Sequence, residues 1–156
     1  MFENLFKKTM NNTTLTPSEK ALEFYNMGCE ANKKGKYEKG IEYFNQAINF
    51  DPNYSNAFIN RGNAYSRLAD TKADISFYKQ NCDKAISDYS QAIEIDSSSG
   101  YAYYNRSLAK YVKGDYKSAL EDLERSKQLN FADIDPGMER KGDERHLKKL
   151  EPIARK

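Results

Sequence analysis

Few residues of this chain have the types and spacing that catalysis requires. The single histidine, His146, lies in a charged C-terminal stretch, and no serine or cysteine is placed by the sequence to use it. No glycine-rich loop follows a strand, and no Cys/His spacing fits a metal. Carboxylates such as Glu121 and Asp122 have the pattern of ordinary solvent-facing charge. We therefore expect no enzyme activity, no metal and no cofactor, which leaves binding.

The composition favours an elongated, well-hydrated fold. Apolar residues make up 38% of the 156 residues and charged residues 31%, whereas a typical globular domain has about 45–50% apolar residues. The net charge of +2 gives no sign of a nucleic-acid or membrane partner. A positive excess lies near the C-terminus, where acids and bases interleave as on a solvated helix face.

The cysteines and the N-terminal sequence indicate the cellular compartment. Cys29 and Cys82 form no C-x-x-C pair, which indicates reduced thiols and a cytoplasmic protein. No segment is apolar enough for a secretory signal or a transmembrane span. Phe2, Leu5 and Phe6 fall on one helical face, which would fit packing on the first repeat, fraying, or a weak partner or membrane contact.

One pattern recurs along the chain. Segments 24–52 and 103–131 align without a gap, and segments 58–68 and 82–97 supply the two halves of another copy. Each copy has two apolar stripes at helical spacing, separated by a short break at Gly-Lys-Tyr or Gly-Asp-Tyr. This pattern predicts a helical hairpin, which cannot bury both of its faces without stacking on a neighbour.

Small and large residues recur at fixed positions of each copy. The small ones, where two helix backbones must approach closely, are Gly28, Gly62 and Ser107 on first helices and Gly40, Ala85 and Ala119 on second helices. The large ones, which fill the space between helices, are Phe24, Phe58, Tyr103, Phe44, Tyr89 and Leu123. A bulky side chain at a small position would cost about 1–3 kcal/mol in overpacking.

These positions resemble the tetratricopeptide repeat, a unit of about 34 residues. The first unit, 21–54, contains MGCEA, GKYEKG, YFNQA and DPN, and the third, 100–133, contains NRSLA, GDYKSAL and LERS. Departures are mild: Ala31 and Lys110 replace a common Tyr, and Ser97 and Phe131 replace the closing Pro. The resemblance covers residues 21–133 and implies an all-α, right-handed α-solenoid of three helix-turn-helix hairpins.

The predicted organisation has three parts. Residues 1–16 form an N-terminal tail, partly ordered or flexible. Residues 17–133 form the three hairpins, with units 21–54, 55–99 and 100–133, and residues 134–156 form a C-terminal capping helix and basic tail. The TPSE sequence at Thr16–Glu19 predicts a capping box that opens the array, and Asp135 caps the last helix.

The resemblance also implies a function. In this family the first helix of each hairpin lines a concave groove that holds an extended peptide of a partner protein, so we expect a non-catalytic interaction scaffold or adaptor. Asn amides can pair with a peptide backbone, and Tyr adds apolar area with a hydroxyl. The matching groove positions are Tyr25, Cys29, Asn32, Lys33, Asn56, Ile59, Asn60, Asn63, Ser66, Arg67, Tyr101, Tyr104, Asn105, Leu108 and Tyr111.

One subtype of the family clamps the acidic C-terminal tail of heat-shock chaperones with Lys and Arg, helped by Asn. Of those positions only Asn60 matches here. Tyr25 and Cys29 stand where Lys and Asn are needed, and Tyr101 and Asn105 stand where Lys and Arg are needed. A carboxylate would find few charge-assisted donors, so we expect a protein partner of unknown identity and no chaperone acidic-tail clamp.

The second unit carries a helical insertion. It is 45 residues long, and its eleven extra residues lie between Leu68 and Cys82, without Gly or Pro. In one interpretation the second helix starts early, at Asp70 or Thr71, with Thr71 and Asp74 as a capping pair. In another the first helix continues to about residue 79 and turns at residues 80–81, because QNCDKA matches GKYEKG. We favour the early start or a length shared by both helices.

In either case the second hairpin projects beyond its neighbours, by up to about 16 Å. Ile75, Phe77 and Tyr78 lie on the projection, either as a docking or dimer contact or as a private core between the lengthened helices. Two alternative functions stay open: self-association into a homo-oligomeric assembly, and RNA binding by a helical repeat. The groove's few cations, Lys33 and Arg67, argue against nucleic acid.

Overall fold

Six helices form three consecutive hairpins. The structure, a computed structural model, describes residues 15–72 and 74–129. The helices are α1 (Pro17–Lys33), α2 (Tyr37–Phe50), α3 (Ser55–Ala69), α4 (Ile75–Ile95), α5 (Gly100–Lys113) and α6 (Tyr116–Gln128), and the described residues contain no strand. Each helix packs most closely on its neighbours in sequence, which confirms an all-α helical repeat. Residues 1–14 of the predicted tail and the predicted capping helix lie outside the described residues.

Side-chain caps fix where four of the six described helices begin. Thr16 and Glu19 form the predicted capping box: the Thr16 amide donates to Glu19 Oε2 at 2.8 Å, and the Glu19 amide donates to Thr16 Oγ1 at 3.3 Å. Ser99 and Asp115 accept backbone N–H bonds at the starts of α5 and α6. These acceptors pair N–H groups that the first helical turn leaves without partners.

The turns within the first and third hairpins depend on glycine. Gly35 and Gly114 have φ angles of 70° and 87°, a left-handed conformation that glycine adopts without a Cβ clash. The turn of the second hairpin, residues 70–74, contains no glycine and is longer. The insertion therefore replaces a tight turn with a wider one.

In the first two hairpins a glycine on the first helix lies opposite an aromatic ring on the second helix, and this pair sets how closely the two helices pack. A Cβ added at Gly28 would lie 2.6 Å from Phe44 Cε1, and one added at Gly62 would lie 2.7 Å from Tyr89 Cε1. Phe44 and Tyr89 are almost completely buried. The third hairpin has Ser107 and Leu123 at the equivalent positions, and both are fully buried. The first helix can approach the second only because the ring occupies the volume of the absent side chain.

An arginine on a first helix ties each of the last two hairpins together. Arg61 makes a bidentate ion pair with Asp88 at 2.6 and 2.9 Å, and its Nη1 donates to Asn45 of the first hairpin at 2.6 Å. Arg106 pairs with Asp122 at 2.7 and 2.8 Å in the same way, and its Nη1 donates to Ser90 of the second hairpin. Each arginine thus joins both helices of its hairpin to the preceding hairpin.

Asp122 is therefore not the solvent-facing charge that its sequence context predicts. It is buried, and it pairs with Lys110 as well as Arg106. The first hairpin lacks this device, because Met27 and Tyr43 occupy the positions equivalent to the arginine and the aspartate. On α1 the exposed Glu23 and Glu30 occupy positions at which the first helices of the second and third hairpins have buried alanines.

The insertion lengthens the second helix of its hairpin. Helix α3 ends at Ala69, and α4 has 21 residues where α2 has 14. The extension of α4 is thus about 10 Å at the rise of an α-helix, shorter than the full insertion would give. The second helix does start early, as predicted, but it begins at Ile75 rather than at Asp70 or Thr71. The interpretation with a turn at residues 80–81 is wrong, because both residues lie inside α4.

The start of α4 differs in detail from the prediction. Asp74 alone is the cap, and it accepts from the backbone N–H groups of Ser76 at 2.8 Å and Phe77 at 3.1 Å. The Thr71 hydroxyl instead donates to the carbonyl oxygen of Leu68 at 2.7 Å, at the end of α3. The predicted Thr71–Asp74 capping pair is therefore wrong, because Thr71 is used to end one helix rather than to begin the next.

We predict that Gly62→Ala destabilises the fold by about 1–2 kcal/mol, because the new methyl group overpacks against Tyr89. In an exposed helix the same change stabilises by about 1 kcal/mol. Urea unfolding followed by circular dichroism measures the difference. In the Tyr89→Leu background the loss should shrink by about 1 kcal/mol, since leucine relieves the clash. An unchanged or raised stability of the single variant would contradict this packing.

We also predict that Asp88→Ala costs about 3 kcal/mol, because it leaves the partly buried Arg61 guanidinium without its carboxylate. Arg61→Met with Asp88→Leu removes both charges and should cost less than Asp88→Ala alone. The comparison uses the free energy of unfolding in urea. A double variant less stable than the single variant would show that the ion pair itself, rather than the orphaned charge, dominates.

Candidate functional site

Polar side chains connect the first helices of the three hairpins into one surface. Asn60 on α3 donates to the Tyr25 hydroxyl on α1 at 3.0 Å, and Asn32 on α1 donates to the backbone carbonyl of Asn60 at 3.4 Å. On the other side Asn63 on α3 donates to the Tyr101 hydroxyl on α5 at 3.2 Å. Helices α1, α3 and α5 therefore lie side by side, as the predicted groove requires.

The predicted groove residues differ in their exposure to solvent. Lys33, Asn56 and Arg67 are exposed. Half-buried positions are Tyr25, Cys29, Asn32, Asn60, Asn63, Ser66, Tyr101, Tyr104, Asn105, Leu108 and Tyr111. Ile59 is the exception: it is only 4% exposed and packs in the core with Phe58 and Tyr89. We therefore omit Ile59 from the candidate surface.

Asn63 links this surface to the core. Its Oδ1 accepts from the hydroxyl of Tyr89 at 2.8 Å, and Ser66 Oγ lies 3.4 Å from the same hydroxyl. Burial raises the pKa of Tyr89, so its hydroxyl remains a donor over the whole physiological range. Asn63 is thus a structural residue, and its side chain is already committed to Tyr89 and Tyr101.

A cavity of about 270 Å³ opens between α3, α4 and α5. Its lining combines polar and apolar side chains: Ser66, Arg67, Asp70, Tyr78, Cys82, Tyr89, Asn105, Leu108, Ala109 and Val112. Asn105 contributes an unusual group, because its Nδ2 is shielded from solvent and has no hydrogen-bond partner among the described residues. A buried amide donor without an acceptor costs free energy, and an acceptor on a molecule bound in the cavity would recover it once the amide turned towards that molecule.

Six residues of this cavity were not among the predicted groove residues: Asp70, Tyr78, Cys82, Tyr89, Ala109 and Val112. Tyr78 and Cys82 belong to α4, the second helix, and Tyr78 lies on the N-terminal extension of that helix. Val112 is 48% exposed and occupies the repeat position of Lys33 and Arg67. The alignment of the repeats could have identified Val112. The contribution of α4 could not be identified without knowing where that helix begins.

Cations are scarce on this surface. Lys33 is paired with Glu30 at 2.9 Å, and Arg106 and Lys110 are paired with the buried Asp122. Arg67 is the exposed cation that lines the cavity. The described residues contain no group of three His, Cys, Asp or Glu side chains that could hold a metal ion. None of the described helices is long and apolar enough to cross a bilayer.

Both thiols are free, and burial raises the pKa of each. Cys29 is half-buried beside Tyr25, whereas Cys82 is only 4% exposed. A raised pKa keeps the thiol protonated, and the thiolate is the form that reacts with disulfide reagents.

We predict that Cys29 reacts with Ellman's reagent at pH 8 at least about 10-fold more slowly than glutathione, because little of it is thiolate. Its rate should continue to rise with pH above the range where glutathione levels off, and Cys82 should react only after unfolding. A Cys82→Ala variant assigns the signal to Cys29, and urea should restore the glutathione rate. A folded-state rate equal to that of glutathione would contradict this environment.

Comparison with known proteins agrees with this architecture. A family model described as TPR repeat matches residues 28–68. An uncharacterised protein of Methanocaldococcus jannaschii is 44% identical over 43 residues, which are 28% of this chain and 50% of that protein. The chain therefore spans about half the length of this curated relative.

Solved structures are similar over most of the chain. The first TPR domain of Spaghetti (RPAP3), bound to the HSP90 peptide SRMEEVD, is 25% identical with a TM-score of 0.72, covering 89% of this chain and 96% of that one. The second TPR domain of human RPAP3, in complex with the HSP70 peptide SGPTIEEVD, is 27% identical with a TM-score of 0.69, covering 86% and 97%. The repeat pattern, the three stacked hairpins, the matched family model and these structural similarities together support a tetratricopeptide repeat protein.

Proposed function

We propose that this chain is a non-catalytic protein-interaction module that holds an extended segment of a partner protein across α1, α3 and α5. The observation that carries the proposal is the Asn105 amide, a shielded donor without a partner in the lining of a cavity on this surface. A carbonyl of a bound peptide backbone is an acceptor of the right kind. The related TPR domains that bind peptides support the same function.

The surface supplies the other contacts that such a segment needs. Arg67 and Asn56 are exposed polar groups, and Leu108 and Val112 supply apolar area beside them. Backbone-directed hydrogen bonds give affinity without demanding one sequence, and apolar side chains select among sequences. The surface therefore suits a peptide with mixed polar and apolar side chains.

This chain lacks the cations that the family's chaperone-tail subtype uses to clamp a terminal carboxylate. Tyr25 and Cys29 supply no cation, and the Asn60 amide is already bonded to the Tyr25 hydroxyl and to the Asn56 carbonyl at 3.0 Å each. A free carboxylate would therefore meet few charge-assisted donors. We propose that this chain binds an internal segment of its partner rather than a chaperone C-terminal tail.

We predict that the HSP90 peptide SRMEEVD does not bind measurably, with a Kd above about 1 mM by fluorescence anisotropy, where a specific peptide complex would have a micromolar Kd. The amidated form of the same peptide is the control for the terminal carboxylate. Micromolar binding of the free acid that is lost on amidation would contradict the absence of a clamp.

The experiment that tests the proposed function is selection from a random dodecapeptide phage library. The peptides are fused through their C-termini, so no free carboxylate is presented. We expect the wild-type chain to enrich a shared motif and Asn105→Leu with Arg67→Ala to lose that enrichment. Asn105→Leu should not lower the free energy of unfolding, because the amide nitrogen has no partner to lose.

A matched control is Gln46→Ala, an exposed change on α2 away from the candidate surface. It should enrich the same motif as the wild type. Failure of the wild-type chain to enrich any peptide, or equal enrichment by the double variant, would reject the proposed function.

A further inference from the structure

The start of α4 and the end of α5 enclose a second depression of about 420 Å³. It is lined by Lys72, Asp74, Ile75, Tyr78, Lys79, Val112 and Lys113. Ile75 is 75% exposed, and Val112 and Tyr78 extend the apolar area beside it. Phe77, which the sequence places on the same projection, instead packs on the core around Ile41 and Leu68. The exposed part of the projection is therefore Ile75 with its flanking lysines.

This depression is continuous with the cavity of the candidate surface. Tyr78 and Val112 line both of them, one from α4 and one from α5. An extended segment that passes Asn105 and Leu108 can thus continue past Val112 onto the N-terminal turns of α4. The extension of α4 that the insertion creates forms one wall of the depression.

The rim of the depression is positively charged. Lys72, Lys79 and Lys113 outnumber its one acid, Asp74, whose Oδ1 already accepts two backbone N–H bonds of α4. Lys113 is paired with Asp83. Among the described residues neither Lys72 nor Lys79 pairs with a carboxylate. The Lys72 ammonium lies over the Phe77 ring, 4.3 Å from its centre, so no acid neutralises the charge of either lysine.

We propose that this depression is a specificity subsite for an acidic and apolar stretch of the partner segment. A bulky aliphatic or aromatic side chain would occupy the apolar floor at Ile75, Tyr78 and Val112, and an adjacent Asp or Glu would pair with Lys72 and Lys79. The subsite rests on the proposed function, because it lies at one end of the surface that holds the segment.

Charge also distinguishes this partner from a second copy of the chain. A two-fold contact through the depression would place the same three lysines opposite one another. Like charges that face each other across an interface are unfavourable. An acidic partner segment has no such penalty, and its carboxylates would be favoured by the uncompensated lysines.

The test repeats the dodecapeptide phage selection with Lys72→Glu/Lys79→Glu, both exposed positions. We expect the wild-type chain to enrich peptides with an acidic residue next to a bulky apolar one, and the charge-reversed variant to enrich basic residues at that position. By fluorescence anisotropy, the best wild-type peptide should lose about 10-fold or more in affinity for the variant. Lys34→Glu/Lys36→Glu, an equal charge change in the turn of the first hairpin, is the matched control and should bind normally.

Three results would overturn the subsite. One is enrichment of a motif whose charge preference does not change in Lys72→Glu/Lys79→Glu, which leaves the proposed function standing. Another is an equal loss of affinity in the control, which would indicate long-range charge alone. The third is a concentration-dependent dimer in sedimentation that Ile75→Ser abolishes, which would assign the depression to a second copy. Enrichment of no peptide by the wild-type chain would instead reject the proposed function itself.

Discussion

The close approach of the two helices of each hairpin is the constraint on which the rest of the structure depends. Gly28 and Gly62 leave room for the buried rings of Phe44 and Tyr89. These rings lie so close to the two glycines that a Cβ atom at either position would clash with them. With the helices at this separation, Arg61 and Arg106 can reach an aspartate on the second helix and a polar group on the preceding hairpin. The same separation decides which side chains of the first helices are left for the concave surface.

Core packing and the candidate surface are physically coupled. Tyr89 fills the volume beside Gly62, and its hydroxyl donates to Asn63, which donates to Tyr101 on the next hairpin. Asn60 and Tyr25 make the corresponding connection between the first two hairpins. These residues hold the surface in one shape before a partner arrives, which lowers the ordering entropy lost on binding. A partner is contacted by the residues that make none of these hydrogen bonds between hairpins, chiefly Arg67, Asn105, Leu108 and Val112.

Much of the fold could be predicted from the sequence, because helical spacing, small residues opposite rings, and caps such as Thr16 are local signals. The insertion is harder to predict, because its stripe of apolar residues is compatible with lengthening either helix. Only the hydrogen bonds show that Asp74 caps α4 and that Thr71 ends α3. The site was predicted less well. Ile59 and Phe77 turn inwards because a neighbouring hairpin covers them, and the depression at Ile75 exists because two helices distant in sequence meet there. Such contacts have no signature in a single repeat.

The most direct test of the central claim is a two-dimensional NMR titration of the ¹⁵N-labelled chain with a selected peptide. Side-chain amide signals report on hydrogen bonds to Asn, and Asn105→Leu identifies the signal of Asn105 by its absence. The account predicts that this signal moves on binding, together with backbone signals of α3 and α5. Shifts confined to α2 and α6, with the Asn105 amide unchanged, would contradict a peptide site on the first helices.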